Sequence, residues 1–234
     1  MLTRGLCFET PILCSPRGSA APPQILQNKC RNHLDAAFTD APTWIQLPSG
    51  LWALQFVSAQ TNYCTIPDIP ELLGATSATW LAWVRKDAYI QFQCVASDYA
   101  VGGLRWIFGS ETPQSSWKGY VGDNTTVVGP ATAASVFTVG WHFVWMRFNG
   151  SSVTGLEAGC DNTVATPVST LTVAALGTGV KNHTYIGLEG GSAVKSSSTL
   201  GALAIWASKT PTGGALSDDE ISRWRESRRR LIGC

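Results

Sequence analysis

Few side chains in this sequence are spaced to do chemistry. Hydrolysis of a glycosidic bond needs two carboxyl groups flanking it. No strand-like segment carries a pair such as E-x-D-x-x-E. Asp218, Asp219 and Glu220 are adjacent, but they follow Ser217 and read as the acidic first turn of a helix. His33, His142 and His183 are far apart, and His142 reads as a strand residue beside a core tryptophan. There is no G-x-S-x-G, no P-loop and no H-E-x-x-H. No catalytic set emerges, so the chain is expected not to be an enzyme. Seven cysteines stand at 7, 14, 30, 64, 94, 160 and 234. They form no C-x-x-C and no Cys/His cluster with zinc spacing, so no metal site is expected.

Binding chemistry is better supplied. Sugars are held by aromatic rings that stack on their apolar faces and by fixed amides and carboxylates. Trp106, Trp117 and Tyr120 lie near loops, with Asp123 and Asn124 close behind. These five are the candidate ligand-binding residues. Ten tryptophans are more than core packing alone usually employs, although most should be core. A second candidate set is Arg225, Arg228, Arg229 and Arg230, which could meet an acidic partner protein or face water. At a net charge of +1 there is no global field favouring nucleic acid or membrane.

The elements that would position these residues follow from periodicity. Gly140–Asn149, GWHFVWMRFN, alternates as a strand. Trp141, Phe143, Trp145 and Arg147 fall on one face and His142, Val144, Met146 and Phe148 on the other. Asn149-Gly150 then marks a turn. Both faces are largely apolar, which predicts an inner strand covered on one side and partly on the other, by a neighbour or by its own loops. Residues 78–86 and 200–207 read as further buried strands. Shorter ones are expected at 5–14, 42–56, 62–66, 89–96, 104–109, 117–121, 125–128, 153–158, 168–176 and 183–188. Residues 15–35 read as an irregular loop. Ser217 and Glu220 make an S-x-x-E start for one helix over 217–231.

The totals agree with this. The chain has 234 residues, 44% of them hydrophobic and only 14% charged, with 23 glycines. That composition suits one large all-β domain over 1–234 with many turns. No apolar run reaches the roughly 18 residues of a membrane span. The N-terminus, interrupted by Arg4, Glu9 and Pro11, lacks a secretory signal core. Reduced, buried thiols are therefore expected. The sequons at Asn124, Asn149 and Asn182 read as turn residues.

The order of motifs resembles the laminin G-like, concanavalin A-like jelly-roll domains of lectins, glucanases and phage structural proteins. The matching pieces are GLCFETPIL, PTW at 42–44, Phe56 through Tyr63 to Ile66-Pro67, LAWVRK, GWHFVWMRFNG, and LGALAIWA followed by a Leu-Ser-x-x-Glu-Ile helix start. The resemblance covers nearly the whole chain and implies a two-sheet antiparallel jelly-roll sandwich with one short C-terminal helix. The Asp-rich turns usual in that family are sparse here, so no calcium or other cofactor is indicated. The resemblance also implies a virion surface protein, such as a phage capsid decoration. It would be assembled in the host cytoplasm and bound to a major capsid protein or to copies of itself, with a face for glycans. A soluble bacterial carbohydrate-binding module is the alternative.

Overall fold

The computed structural model describes residues 4–10, 25–26, 30, 34–40, 42–59, 62–88, 93–100, 103–111, 115–129, 136–167, 170–179, 183–188 and 196–233. Among the described residues, sixteen strands and one α-helix follow in chain order, with a 3₁₀ turn at Pro70–Leu72. They are β1 (Leu6–Thr10), β2 (Ile25–Leu26), β3 (Ala36–Thr39), β4 (Thr43–Gln46), β5 (Trp52–Phe56), β6 (Tyr63–Pro67), β7 (Ser77–Lys86) and β8 (Gln93–Ala100). Then come β9 (Gly103–Glu111), β10 (Ser116–Gly122), β11 (Val127–Val128), β12 (Gly140–Asn149), β13 (Leu156–Cys160), β14 (Thr163–Val164), β15 (His183–Ile186), β16 (Ser198–Ser208) and α1 (Asp218–Ile232). One sheet runs β14-β13-β12-β7-β16-β5-β4, with β1 also on β16; the other runs β11-β10-β9-β8-β15-β6-β3-β2. All pairings are antiparallel, and the two sheets stack as a sandwich, as expected.

The predicted inner strand is inner. All ten residues of β12 pair with β7, from Gly140 opposite Lys86 to Asn149 opposite Ser77, and β13 pairs along its other edge. Its two apolar faces have different covers. Val144, Met146 and Phe148 join the core between the sheets with Trp80, Trp106, Phe108 and Trp117. Phe143 and Trp145 instead join Leu81, Trp83, Ala204 and Trp206 on the outer face. There Ile221, Trp224 and Ile232 of α1 seal them. The cover is the chain's own helix rather than a loop or a neighbouring molecule. Apolar residues on both faces of β7, β12 and β16 are thus required by a three-layer arrangement.

Sequence chemistry places the helix there. The Ser217 hydroxyl accepts from the Glu220 N–H at 3.3 Å, and the Glu220 carboxylate accepts from the Ser217 N–H at 2.8 Å, closing the capping box. Gly233, at φ 82°, ends the helix in the left-handed conformation. The connection into α1 is strapped to β7. Thr79 Oγ1 donates to the Gly214 carbonyl at 2.8 Å and accepts from Leu216 N at 3.0 Å.

Some expectations need correction. Residues 170–176 form no strand; Leu171, Val173 and Leu176 are buried from an irregular segment without a ladder. The predicted partner of β12 at 153–158 begins only at Leu156, because the turn extends through Gly155. Residues 11–14, 89–92 and 168–169 of expected strands lie outside the described residues, as does most of 15–35. Within 15–35, Ile25–Leu26 pairs with β3. Five cysteines, at 7, 30, 64, 94 and 160, are buried and in no disulfide; Cys14 and Cys234 lie outside the described residues.

Candidate binding site

The aromatic ligand platform expected from the sequence is not assembled. Trp106 and Trp117 are fully buried. Trp106 packs on Trp80 at 5.3 Å between ring centres, and Trp117 sits edge-on to Phe108 at 4.9 Å. Strand alternation explains this. Leu104, Trp106 and Phe108 all point inward from β9, and Trp117, Gly119 and Val121 are inward on β10. Met146 fills the space that Gly119 leaves by lacking a Cβ. Neither indole can stack on a sugar from solvent.

The other three members are structural. Tyr120 is half-buried and points from β10 to the outer side of the second sheet, with its ring against Gly129. Asp123 Oδ1 accepts from Thr125 N and Thr126 N, each at 2.8 Å, closing the turn between β10 and β11. The Thr125 hydroxyl first, then these two N–H groups, hold its carboxyl below the ordinary value. Asn124 takes φ 81° and is wedged against Gly103 and Gly177.

The arginines of α1 divide into two groups. Arg225 and Arg228 turn back onto the sheet. Arg225 Cζ lies 5.6 Å from the Phe143 ring centre and its Nη1 donates to Asn162 Oδ1 at 2.8 Å. Arg228 lies 5.6 Å from the Trp224 ring centre and pairs with Glu9 of β1. Such stacking lets a guanidinium cover apolar surface while keeping its charge hydrated or paired. These two are internal clamps rather than free partner contacts. Arg223, Arg229 and Arg230 are exposed on the outward side. Arg229 approaches Glu226 at 3.6 Å, and Arg230 has no ion pair among the described residues.

A groove lies along each flank of α1. The larger, about 360 Å³, lies between the N-terminal half of α1 and β12–β14. Phe143 and Trp145 form its floor. Arg147, Glu157, Asp161, Asp218, Ser222 and Arg225 line its walls. Of these, the sequence offered only Arg225 as a candidate contact residue, and that for a partner protein. Arg147 is the organiser. Its Nε donates to Glu157 at 3.0 Å, and Nη1 donates to the Leu216 carbonyl and to Asp218, both at 2.8 Å. Gly159 gives the Trp145 indole room to lie flat on β13. Burial pushes the Asp161 carboxyl upward, but hydrogen bonds from His142 and Phe143 N and the charges of His142 and Arg225 outweigh it and hold the group low. The opposite flank carries a groove of about 330 Å³ among Leu6, Trp206, Trp224 and Arg223, with Glu9 and Arg228 at its edge.

The backbone is similar to several solved binding and sialidase chains. It superimposes on the binding domain of Paraclostridial Mosquitocidal Protein 1 with a TM-score of 0.69 at 10% identity, covering 97% of this chain and 53% of that one. The binding domain of botulinum neurotoxin DC, solved with rat synaptotagmin II, gives 0.66 at 9% identity, covering 97% and 52%. Trypanosoma rangeli sialidase in complex with sialic acid gives 0.61 at 14% identity, covering 98% and 34%. The chain therefore spans about half of the toxin domains and a third of the sialidase. At these identities the likeness is one of fold, a two-sheet β-sandwich. No family model matches the chain, and no curated protein matches it in sequence.

Proposed function

We propose that this chain is a non-enzymatic, lectin-like binding module whose groove between α1 and β12–β14 takes a saccharide. The observation that carries this reading is the composition of the groove. An aromatic floor of Phe143 and Trp145 meets walls of fixed, planar charged groups. Arg147–Glu157 and Arg225–Asn162 are held rigid by their own bonds. Such pairs present donors and acceptors side by side, as adjacent sugar hydroxyls do. About half of the solved botulinum neurotoxin DC binding domain in complex with SialylT is similar in fold, which is consistent with this use.

The same geometry favours binding over hydrolysis. A glycosidase needs one carboxyl kept protonated as general acid. Glu157 is clamped by two nitrogens of Arg147, and Asp161 is held below the ordinary carboxyl range. Asp161 is therefore not poised to deliver a proton near neutral pH, and Glu157 Oε2 is already taken up by Arg147. The test is a glycan array followed by calorimetry on any hit. Ser222→Trp, on the exposed side of α1, should fill the groove without disturbing the core. A hit whose affinity falls at least tenfold in this variant supports the site. A hit unaffected by it moves the site elsewhere, and hydrolysis of the hit defeats the non-enzymatic reading.

A second reading keeps the module on a virion surface, docked to a capsid protein or to another copy of itself. The exposed row of Arg223, Arg229 and Arg230 favours it, as a salt-sensitive contact for an acidic shell. Co-sedimentation with purified capsids at low and high salt tests it. Loss of co-sedimentation on replacing these three arginines with glutamine would support the contact, and no co-sedimentation at low salt would remove it.

A further inference from the structure

The fold brings together three metal-ligating side chains that are not clustered in sequence. His142 lies on β12, Cys160 ends β13 opposite Val144, and Asp161 follows. Their ligand atoms lie within 4.8 Å of one another. The ring orientation is informative. His142 Nε2 is 2.8 Å from the Thr138 carbonyl oxygen, which can only accept, so Nε2 carries the proton there. Nδ1 is 2.6 Å from Asp161 Oδ2. Both nitrogens thus face acceptors, so in the metal-free chain Nδ1–H donates to Asp161, and an ion between the two groups would replace that proton. A backbone carbonyl holding the far N–H is also the usual outer support of a metal-binding histidine. Cys160 Sγ stands 3.9 Å from the same Asp161 oxygen.

We propose that His142 Nδ1, Cys160 Sγ and Asp161 Oδ2 form a binding site for a divalent transition-metal ion, zinc by its ligand set. One nitrogen, one sulfur and one oxygen are zinc ligands and exclude magnesium or calcium, which take oxygen. The cluster closes on one ion by side-chain adjustments of about 1 Å, given ligand distances of about 2.0–2.3 Å. A thiolate and a carboxylate balance the double charge of the ion. Two cationic groups lie nearby, Lys86 from the core side and Arg225 from the groove side. His142 and Cys160 are buried, whereas the Asp161 side chain is 37% exposed. Asp161 lines the larger groove, so an ion and a fourth, water ligand enter from that side. The ion would fix β12 to the end of β13 behind the groove wall.

The test uses the whole chain, stripped with a chelator and titrated with Co²⁺ as a spectroscopic stand-in. A single equivalent should bind with a thiolate-to-cobalt charge-transfer band and visible bands of tetrahedral intensity, both lost on adding Zn²⁺. Zinc should also raise the thermal midpoint of the stripped chain. Cys160→Ala should abolish the charge-transfer band, and His142→Gln should weaken zinc at least tenfold. A band that survives in Cys160→Ala belongs to another thiol and overturns the proposal. So does absence of cobalt binding at micromolar metal. If a variant fails to fold, ¹¹³Cd resonance on the unaltered chain decides instead. A shift in the mixed sulfur–nitrogen range supports the site, and one typical of oxygen ligands alone overturns it.

Discussion

The ammonium of Lys86 donates to the main-chain carbonyl of Phe137 at 3.0 Å and lies 4.9 Å from the centre of the same residue's ring. Lys86 ends β7 with its side chain wholly inside. Burial lowers its pKa from 10.5 to about 8, with the Cys160 charge acting weakly the other way.

This sets a pH dependence with a definite sign. Between the folded value near 8 and the unfolded 10.5, the unfolded chain binds more protons, so the Lys86 contribution to stability rises with pH. Below that window its penalty is present in full. The buried thiols Cys64 and Cys160, pushed up by desolvation, act oppositely above their unfolded value of 9.0. Comparing Lys86→Met with the unaltered chain at each pH isolates the lysine. The advantage of the methionine variant should shrink by about 2–3 kcal/mol from pH 7 to pH 10.5. Urea unfolding in chelator-containing buffer measures it, and a difference that does not change with pH would refute the assignment.

Arg105 of β9 is fully buried between two carboxylates, Asp68 at 2.5 Å and Asp98 at 2.7 Å. Asp98 is also buried, from β8. Removing one partner leaves a guanidinium in low dielectric with half its compensation. Asp98→Ala should cost about 3–5 kcal/mol. Replacing Asp98 and Arg105 together by apolar residues should cost less than the single change, a non-additivity that a double-mutant cycle reads directly.

Helix α1 is held by its cap and by its aromatic anchor, and the two can be separated. Ser217→Ala removes the capping box and should cost about 1 kcal/mol, with a small loss of helical signal. Trp224→Ala empties the space against Trp206 and Phe143, whose ring centres are 6.4 and 6.1 Å away. It should cost about 3–5 kcal/mol and expose the outer sheet face to a hydrophobic dye. Dye binding equal to that of the unaltered chain would mean that α1 does not seal this face.

The strands and the helix were readable because their signals are local. Alternation in GWHFVWMRFN and the S-x-x-E start each need only adjacent residues. The two-sided apolar pattern of β12 even announced a second cover, although naming α1 as that cover required knowing that Ile221 and Trp224 face Phe143. Trp106 and Trp117 were misread because nearness to Gly102-Gly103 and Gly122-Asp123 suggested exposure. The alternation of Leu104, Trp106 and Phe108 already carried the inward answer. The groove and the His142–Cys160–Asp161 cluster were not readable. Both depend on the hairpin register that sets Val144 opposite Cys160, and a one-residue slip would scatter them. Arg225 and Arg228 read as solvated or partner-facing charges because sequence does not show a ring beneath a guanidinium.

Gly201 lies where the last turn of α1 meets the sheet, and it gives a sharp test of that docking. Gly201 sits at the bulge between Leu200 and Ala202 of β16. A Cβ there would lie 3.0 Å from Ile232 Cδ1 and 3.0 Å from Trp141 Cζ3. Both neighbours are side chains, so one methyl group can be accommodated by a shift of a few tenths of an ångström, and Gly201→Ala should be nearly neutral. Gly201→Val must push Ile232 away and should cost about 1–3 kcal/mol. Its effect should be local, with faster amide exchange over the last turn of α1 while the capped first turn stays protected. Gly50 is the control. At φ 80° with nothing within 4 Å of its absent Cβ, it has backbone strain but no packing conflict. Gly50→Ala should therefore destabilise by about 1 kcal/mol; its turn reaches α1 only through the Ser49 hydroxyl, which donates to the Leu231 carbonyl at 2.6 Å, so exchange in α1 should change less than in Gly201→Val. Equal exchange in α1 for Gly201→Val and Gly50→Ala would show that the helix end does not rest on β16.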